Sequence, residues 1–198
     1  KRYGLSAKQV LDICQQLYEK HKLITYPRSD CRYLPLEHFS GAGYVASAIA
    51  KTSPNLEKAV ANADLTLKSK AWNDAKISAH HAIIPTAKSM EPNRLSSGEA
   101  NVYELIARQY LIQFYPPFEY LDKQIDTEVA GGLFIAKQKD VLAQGWKTLF
   151  PAAKQTSAMA AGAESGDGFS SVSLPDVQQG DTVLCSEANL AEKQTSPP

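Results

Sequence analysis

The sequence predicts an α+β fold, helical to about residue 115 and β-rich afterwards. Three observations predict it. Up to that point apolar residues recur at helical spacing; beyond it come β-prone runs joined by a Gly-Gly turn. The change falls on Tyr115-Pro116-Pro117, where proline stops a helix. Charge divides at nearly the same place: residues 1–112 carry 15 Lys+Arg against 10 Asp+Glu, and residues 113–198 carry 6 against 11.

The elements follow in order. Ser6 with Gln9 has capping-box spacing, and Val10, Ile13, Cys14, Leu17 and Tyr18 continue it as a helix ending near His21. Residues 22–26 are a short β-prone run that Pro27 ends. Helix, strand and turn in that sequence are laid out like a winged-helix unit. Pro35 opens a second helix at its first position, through Phe39, Tyr44, Val45, Ile49 and Ala50. Ser53-Pro54 starts a short helix reaching about Asn62. Residues 63–79 give no firm signal, although Trp72 is expected to be packed. Ser97 caps an amphipathic helix through Val102, Leu105, Ile106, Gln109, Ile112 and Gln113. Residues 124–130 and 133–142 read as strands joined by Gly131-Gly132, and residues 182–190 as a third strand. Residues 152–170, of which 12 of 19 are Ala, Ser or Gly, are expected to be a mobile loop. There is no internal repeat. Two domains are expected, 1–115 and 116–198.

At 198 residues and 43% hydrophobic, the chain can build a core without staples. No apolar run in these 198 residues approaches the ~20 residues of a membrane helix, and no secretory leader is visible in them, although a start at Lys1 leaves room for one cut away. The chain opens at Lys1 without Met and ends at Ser196-Pro197-Pro198, so it is expected to be an excised part of a longer polypeptide. Cys14, Cys31 and Cys185 cannot all pair and form no Cys-x-x-Cys, which argues against a disulfide framework or zinc site and fits a reducing, cytoplasmic setting. Cys14 reads as a core residue. Only the positive first half could attract a polyanion, although such an excess also suits an ordinary solvated surface.

Two segments carry chemistry. In Ile24-Thr25-Tyr26-Pro27-Arg28-Ser29-Asp30, a tyrosine stands two residues before an arginine. A phenol with a pKa of about 10 is a poor nucleophile at neutral pH. A guanidinium nearby can offset charge building on a phosphate that the phenolate attacks, and its planar fork suits phosphate oxygens. Pro27 stiffens the loop, and Asp30 can orient Arg28 or cap the next turn. Tyr26 as a packed strand residue stands beside this reading. The second segment is Ala79-His80-His81-Ala82-Ile83-Ile84-Pro85-Thr86. Its histidines can contact phosphate or carry protons. Adjacent residues seldom ligate one metal ion, and no further ligand lies nearby in sequence. One buried, hydrogen-bonded histidine beside an exposed one is the structural alternative.

Together the two segments resemble the type IA DNA topoisomerases, whose pattern is I-T-Y-x-R-[ST]-D followed by A-H-x-A-I-x-P. The bacterial topoisomerase III branch is most similar. Leu17-Tyr18-Glu19, Arg108-Gln109-Tyr110, Gly145-Trp146 and the closing Lys193-Gln194-Thr195-Ser196-Pro197-Pro198 agree with it, so the resemblance covers essentially the whole chain. It implies a helical, CAP-like winged-helix tyrosine domain followed by part of a β-rich gate/hinge domain, both belonging to a toroid. It implies that Tyr26 attacks a backbone phosphate of single-stranded DNA, forming a 5′-phosphotyrosine and freeing a 3′-hydroxyl. Another strand then passes and the break is resealed, so that DNA is relaxed or decatenated without ATP. Arg28 falls at the phosphate-steadying arginine and His80 at the second motif's histidine. Ser29, Asp30 and His81 are implied as DNA contacts. The family's Mg2+ is held by a Toprim domain with no counterpart here. That domain and the arch domain are the implied partners within the same polypeptide, with no membrane, in the bacterial cytoplasm at the nucleoid. Without Toprim this part is expected to be inactive. A non-enzymatic winged-helix DNA-binding module is the main competitor, although no helix carries an Arg/Lys-rich face. A tyrosine recombinase needs Arg…His-x-x-Arg upstream of its tyrosine, which this chain lacks; a purely structural role is the third alternative.

Overall fold

In the computed structural model, which describes residues 3–150 and 173–184, α1 (Ala7–Glu19) starts at the expected box. The Gln9 N–H donates to Ser6 Oγ at 3.3 Å, and the Ser6 N–H donates to Gln9 Oε1 at 2.8 Å. Two of the helix's free N–H groups are thereby satisfied. Cys14 and Leu17 form the buried stripe of α1. Burial also pushes the Cys14 thiol up, as befits a core cysteine.

Pro35 does not open a continuous α-helix. It precedes a 3-10 helix, Leu36–Gly41, and α2 (Ala42–Thr52) begins only after it. The tighter winding has local causes. The His38 N–H reaches the Pro35 carbonyl, and Ser40 Oγ donates back to the Glu37 carbonyl at 3.1 Å, both three residues back. Pro54 stands at the head of another 3-10 turn, Pro54–Leu56, which runs into α3 (Glu57–Ala61) and stops at Asn62 as expected.

Residues 63–79 hold one 3-10 turn, Asp74–Lys76, and an isolated parallel bridge between Leu34 and Trp72. The bridge places Trp72 in the core, 6% exposed, edge-on to Phe39 with centroids 5.1 Å apart and close to Tyr110 and Phe114. Leu17, Leu23, Ile24, Ile49, Leu56, Tyr103, Leu111 and Phe114 are fully buried in the same core.

α4 (Ser97–Leu111) is capped by Ser96, one residue before the expected cap. The reason is the residue three positions on. Ser96 has Glu99 there and closes a capping box; Ser97 has Ala100 and cannot. The buried face is correspondingly Val102, Tyr103, Ala107, Tyr110 and Leu111, while Leu105 and Ile106 are only partly buried and Gln109 is exposed. The Glu99 carboxylate also meets His21 Nε2 at 2.8 Å, both side chains 7% exposed, which ties the end of α1 to the start of α4.

The described residues fall into two units, 3–117 with 144–150, and 118–143 with 173–184. In the first, the returning segment forms a 3-10 helix, Gly145–Leu149. Its Trp146 N–H donates to the Pro116 carbonyl at 2.9 Å. The Arg108 guanidinium donates to the Leu149 carbonyl and to Glu104, and lies 5.9 Å from the Phe150 ring centroid. Gly145 has φ +47°, and a Cβ there would sit 2.1 Å from the Pro117 oxygen. Only glycine fits.

In the second unit β1 (Glu119–Val129) pairs antiparallel with β2 (Gly132–Ala143). Val129 faces Gly132, so the two turn residues are Ala130 and Gly131, with φ +48° and +81°. Both φ values are positive, as a type I′ hairpin turn requires. The turn is thus one residue earlier than expected, and β1 starts five residues earlier. A one-residue slip would turn every strand side chain to the other face. Lys123 and Asp140 pair across the strands at 2.6 Å. Residues 182–184 form no strand; the rest of the expected third strand, and the Ala/Ser/Gly segment at 152–170, lie outside the described residues. With helices in one unit and a two-stranded antiparallel sheet in the other, the chain is α+β.

Candidate active site

The two chemistry-bearing segments, more than fifty residues apart, are zipped together. The Thr25 N–H donates to the Ile84 carbonyl and the Thr86 N–H to the Leu23 carbonyl, each at 2.9 Å, around an antiparallel bridge between Ile24 and Pro85. Thr25 Oγ1 accepts from the Ile84 N–H at 3.0 Å and donates to the Ala82 carbonyl at 3.4 Å. Buried Leu23, Ile24, Ile84 and Pro85 anchor this seam in the core.

Beyond the seam the chain turns outward. Pro27 is buried, whereas Tyr26 is 39% exposed and Arg28 and Asp30 are exposed. Ser29 Oγ donates to the His81 carbonyl at 2.8 Å and accepts from the Cys31 N–H at 3.2 Å. The Ala82 N–H donates to the Tyr33 carbonyl at 2.9 Å. The histidine pair is therefore held between the tyrosine loop and the chain that leaves it.

The rings are arranged in a cluster. Tyr26 and His80 stack at 4.8 Å with planes 25° apart. Tyr18, on the last turn of α1, meets Tyr26 edge-on at 5.7 Å. His81 has Nδ1 2.7 Å from the Ala82 carbonyl oxygen and stands edge-on to His38 at 4.9 Å. Burial pushes the His38 imidazole below its usual range, the neighbouring His81 adds to this, and Glu37 opposes it.

Of the candidate residues, Tyr26 and His80 are in contact, and Ser29 and His81 are joined through a backbone carbonyl. No hydrogen bond or ion pair joins Asp30 to Arg28 among the described residues, and Ser29 rather than Asp30 closes the turn onto Cys31. His80 is exposed and His81 is half-buried, bonded to a carbonyl. Sequence reasoning missed Thr25, Tyr18 and His38. Thr25 lies inside the motif and was findable, Tyr18 reads as one more helix-face residue, and His38 carries no local signal. In the core, burial pushes the Tyr103 phenol up to about 12 and raises Tyr110 above the ordinary tyrosine range.

A half-exposed tyrosine stacked on a histidine, with an exposed arginine two residues on, suits attack on a phosphate diester. The chain belongs to the DNA topoisomerase family, whose sequence model matches residues 1–198, and to its type IA class. It is 50% identical over 198 residues to DNA topoisomerase 3 of Vibrio cholerae and 48% identical over 199 residues to that of Salmonella typhimurium. It is 36% identical over 205 residues to DNA topoisomerase 3 of Bacillus subtilis. Each comparison covers all of this chain, which spans 29% of the length of the first two relatives and 26% of the third.

Proposed function

We propose that this chain is the nucleophile-bearing part of an enzyme that cleaves one DNA strand, lets another pass and reseals the break. The observation that carries this reading is the Tyr26–His80 stack at 4.8 Å, exposed beside Arg28 on a loop that the Thr25 seam holds in place. Tyr26 Oη loses its proton and attacks the phosphorus of a single-stranded DNA phosphodiester. The bond from phosphorus to the 3′-oxygen breaks, and that oxygen takes up a proton. The product is a 5′-phosphotyrosine diester and a free 3′-hydroxyl. One phosphodiester has been exchanged for another, so resealing is the same attack in reverse and ATP has no part in it. Arg28 offsets the charge that gathers on the phosphate in the transition state. His80 serves the same phosphate as a proton carrier or hydrogen-bond donor. His81, Ser29 and Asp30 contact the bound strand.

The described residues include no group of three His, Cys, Asp or Glu that could hold a metal ion. The family's Mg2+ requirement is assigned to a Toprim domain elsewhere in the same polypeptide, and no step above passes through it. The first unit is read as a winged-helix-like, CAP-like tyrosine domain, and the hairpin as part of the gate and hinge of a toroid. None of the helices among the described residues is long and apolar enough to cross a membrane. The site of action is the bacterial cytoplasm, where the enzyme relaxes negative supercoils and decatenates DNA. In the complete polypeptide, Tyr26→Phe removes only the attacking oxygen. It is expected to abolish relaxation while leaving DNA binding nearly intact. Relaxation above background in a clean preparation of the variant contradicts the assignment.

A further inference from the structure

The Tyr26 phenol makes no hydrogen bond among the described residues; its ring meets those of Tyr18 and His80. One of these, His80, is on the loop that also faces the substrate. The other, Tyr18, is on α1. We propose that Tyr18 is a positioning residue for the nucleophile, holding the Tyr26 ring in the orientation from which its oxygen reaches phosphorus. The proposal rests on the reading of Tyr26 as nucleophile.

The geometry supports it at three levels. Tyr18 and Tyr26 meet at 5.7 Å with planes 81° apart, the edge-to-face arrangement that aromatic quadrupoles favour. Tyr18 belongs to a rigid element: it is one residue past the fully buried Leu17 on a helix closed by a complete capping box. The chain then turns sharply through Lys22, a non-glycine residue at φ +58°, which brings the segment bearing Tyr26 back beside the helix it has just left. That turn is itself pinned, since Thr86 Oγ1 donates to the Lys22 carbonyl at 2.7 Å. It also sets Lys22 Nζ 5.7 Å from the Tyr18 ring centroid. The helix, the turn and the Ile24–Pro85 seam together fix where Tyr18 presents its edge. The Tyr26 ring thus meets the edge of a residue on a core-anchored helix as well as the His80 ring. A half-exposed tyrosine without such a contact would sample several rotamers, and few of them aim Oη at one point.

The test uses the complete polypeptide and a single-stranded oligonucleotide, with single-turnover cleavage and DNA affinity measured separately. Tyr18→Ala and Tyr18→Leu are expected to cleave about three- to tenfold more slowly than wild type, in keeping with the modest worth of one aromatic pair. DNA affinity is expected to be unchanged. Tyr18→Phe keeps the ring and is expected to cleave at nearly the wild-type rate. Tyr18→Leu, which retains apolar bulk on the helix, covers the case in which Tyr18→Ala is poorly folded. Wild-type cleavage by Tyr18→Leu overturns the proposal. So does a loss in Tyr18→Phe as large as in Tyr18→Leu, or a cleavage defect matched by an equal loss of affinity. Tyr26→Phe run alongside keeps the two readings apart: cleavage persisting there refutes the nucleophile, whereas wild-type cleavage by Tyr18→Leu refutes only the positioning role.

Discussion

Arg28 is exposed and enters no ion pair among the described residues. A guanidinium that no carboxylate engages keeps its full fork for a substrate phosphate. Arg28→Ala in the complete polypeptide is therefore expected to slow single-turnover cleavage by about 10²- to 10³-fold, the usual cost of losing one transition-state donor, with a much smaller effect on DNA affinity. Arg28→Lys should recover only part of the rate, because an ammonium cannot fork. Wild-type cleavage by Arg28→Ala contradicts the role. By the same geometry His80→Ala should slow cleavage more than His81→Ala, since His80 touches the Tyr26 ring while His81 spends Nδ1 on a carbonyl. Tyr26, Arg28 and the histidine pair stand out in the sequence through the resemblance of their two motifs to a family pattern, and the fold brings the Tyr26 and His80 rings together. Of the two roles open to Asp30, the link to Arg28 is not made among the described residues, and the turn onto Cys31 is closed by the Ser29 hydroxyl instead. Nor was Tyr18 legible: helical spacing gives it the same signature as the core residues Cys14 and Leu17, and only the fold shows that its edge meets Tyr26.

At the scale of elements, two joints can be tested for stability. Glu99 caps α4 and meets His21 across the core. Burial raises its pKa, but the Ser96 N–H and hydroxyl and the His21 contact outweigh that and leave the carboxyl below its usual range. A depressed folded-state pKa contributes stability that is present above the unfolded value of about 4.3. That contribution is lost as pH falls through the folded value. Glu99→Gln should cost roughly 1–3 kcal/mol near neutral pH. The gap between wild type and variant in urea unfolding should narrow below about pH 4.3, where wild-type Glu99 takes up its proton. A gap that widens on acidification contradicts this. The second joint is Gly145. Gly145→Ala puts a methyl into the Pro117 carbonyl in a left-handed backbone, whereas Gly131→Ala meets open space and bears only the backbone cost of about 1–2 kcal/mol. The urea midpoint should fall much further for Gly145→Ala, and equal midpoints would show that the segment can swing away. The starts of α1 and α4 were legible to within a residue because capping boxes are local chemistry, whereas the helix expected at Pro35 winds as a 3-10 turn first and becomes α-helical only at Ala42. The hairpin turn was off by one because a type I′ turn accepts Ala130 at positive φ as its first residue, which a search for paired glycines does not anticipate.

At the scale of the whole chain, the two prolines at 116 and 117 mark where the helical run ends, and the sequence shows this plainly. It does not show that residues 144–150 return to the helical unit. That return depends on the contacts of Arg108 with Leu149 and of Trp146 with Pro116, pairings of long sequence separation that leave no local pattern. The chain spans only 29% of the length of its Vibrio and Salmonella relatives, and its described residues hold no acidic cluster. The 198 residues alone, given Mg2+ and single-stranded DNA, are accordingly expected to form no covalent adduct. An adduct lost on Tyr26→Phe would show them to be self-sufficient.

The central claim is that Tyr26 becomes joined to the 5′ side of a broken strand. The most direct measurement incubates the complete polypeptide with single-stranded DNA labelled at its 3′ end, or separately at its 5′ end, and quenches with detergent. The 3′ label should travel with the protein, the 5′ label should leave on a shorter free strand, and both signals should vanish in Tyr26→Phe. A 5′ label that stays with the protein, or a covalent band that survives Tyr26→Phe, would contradict the account.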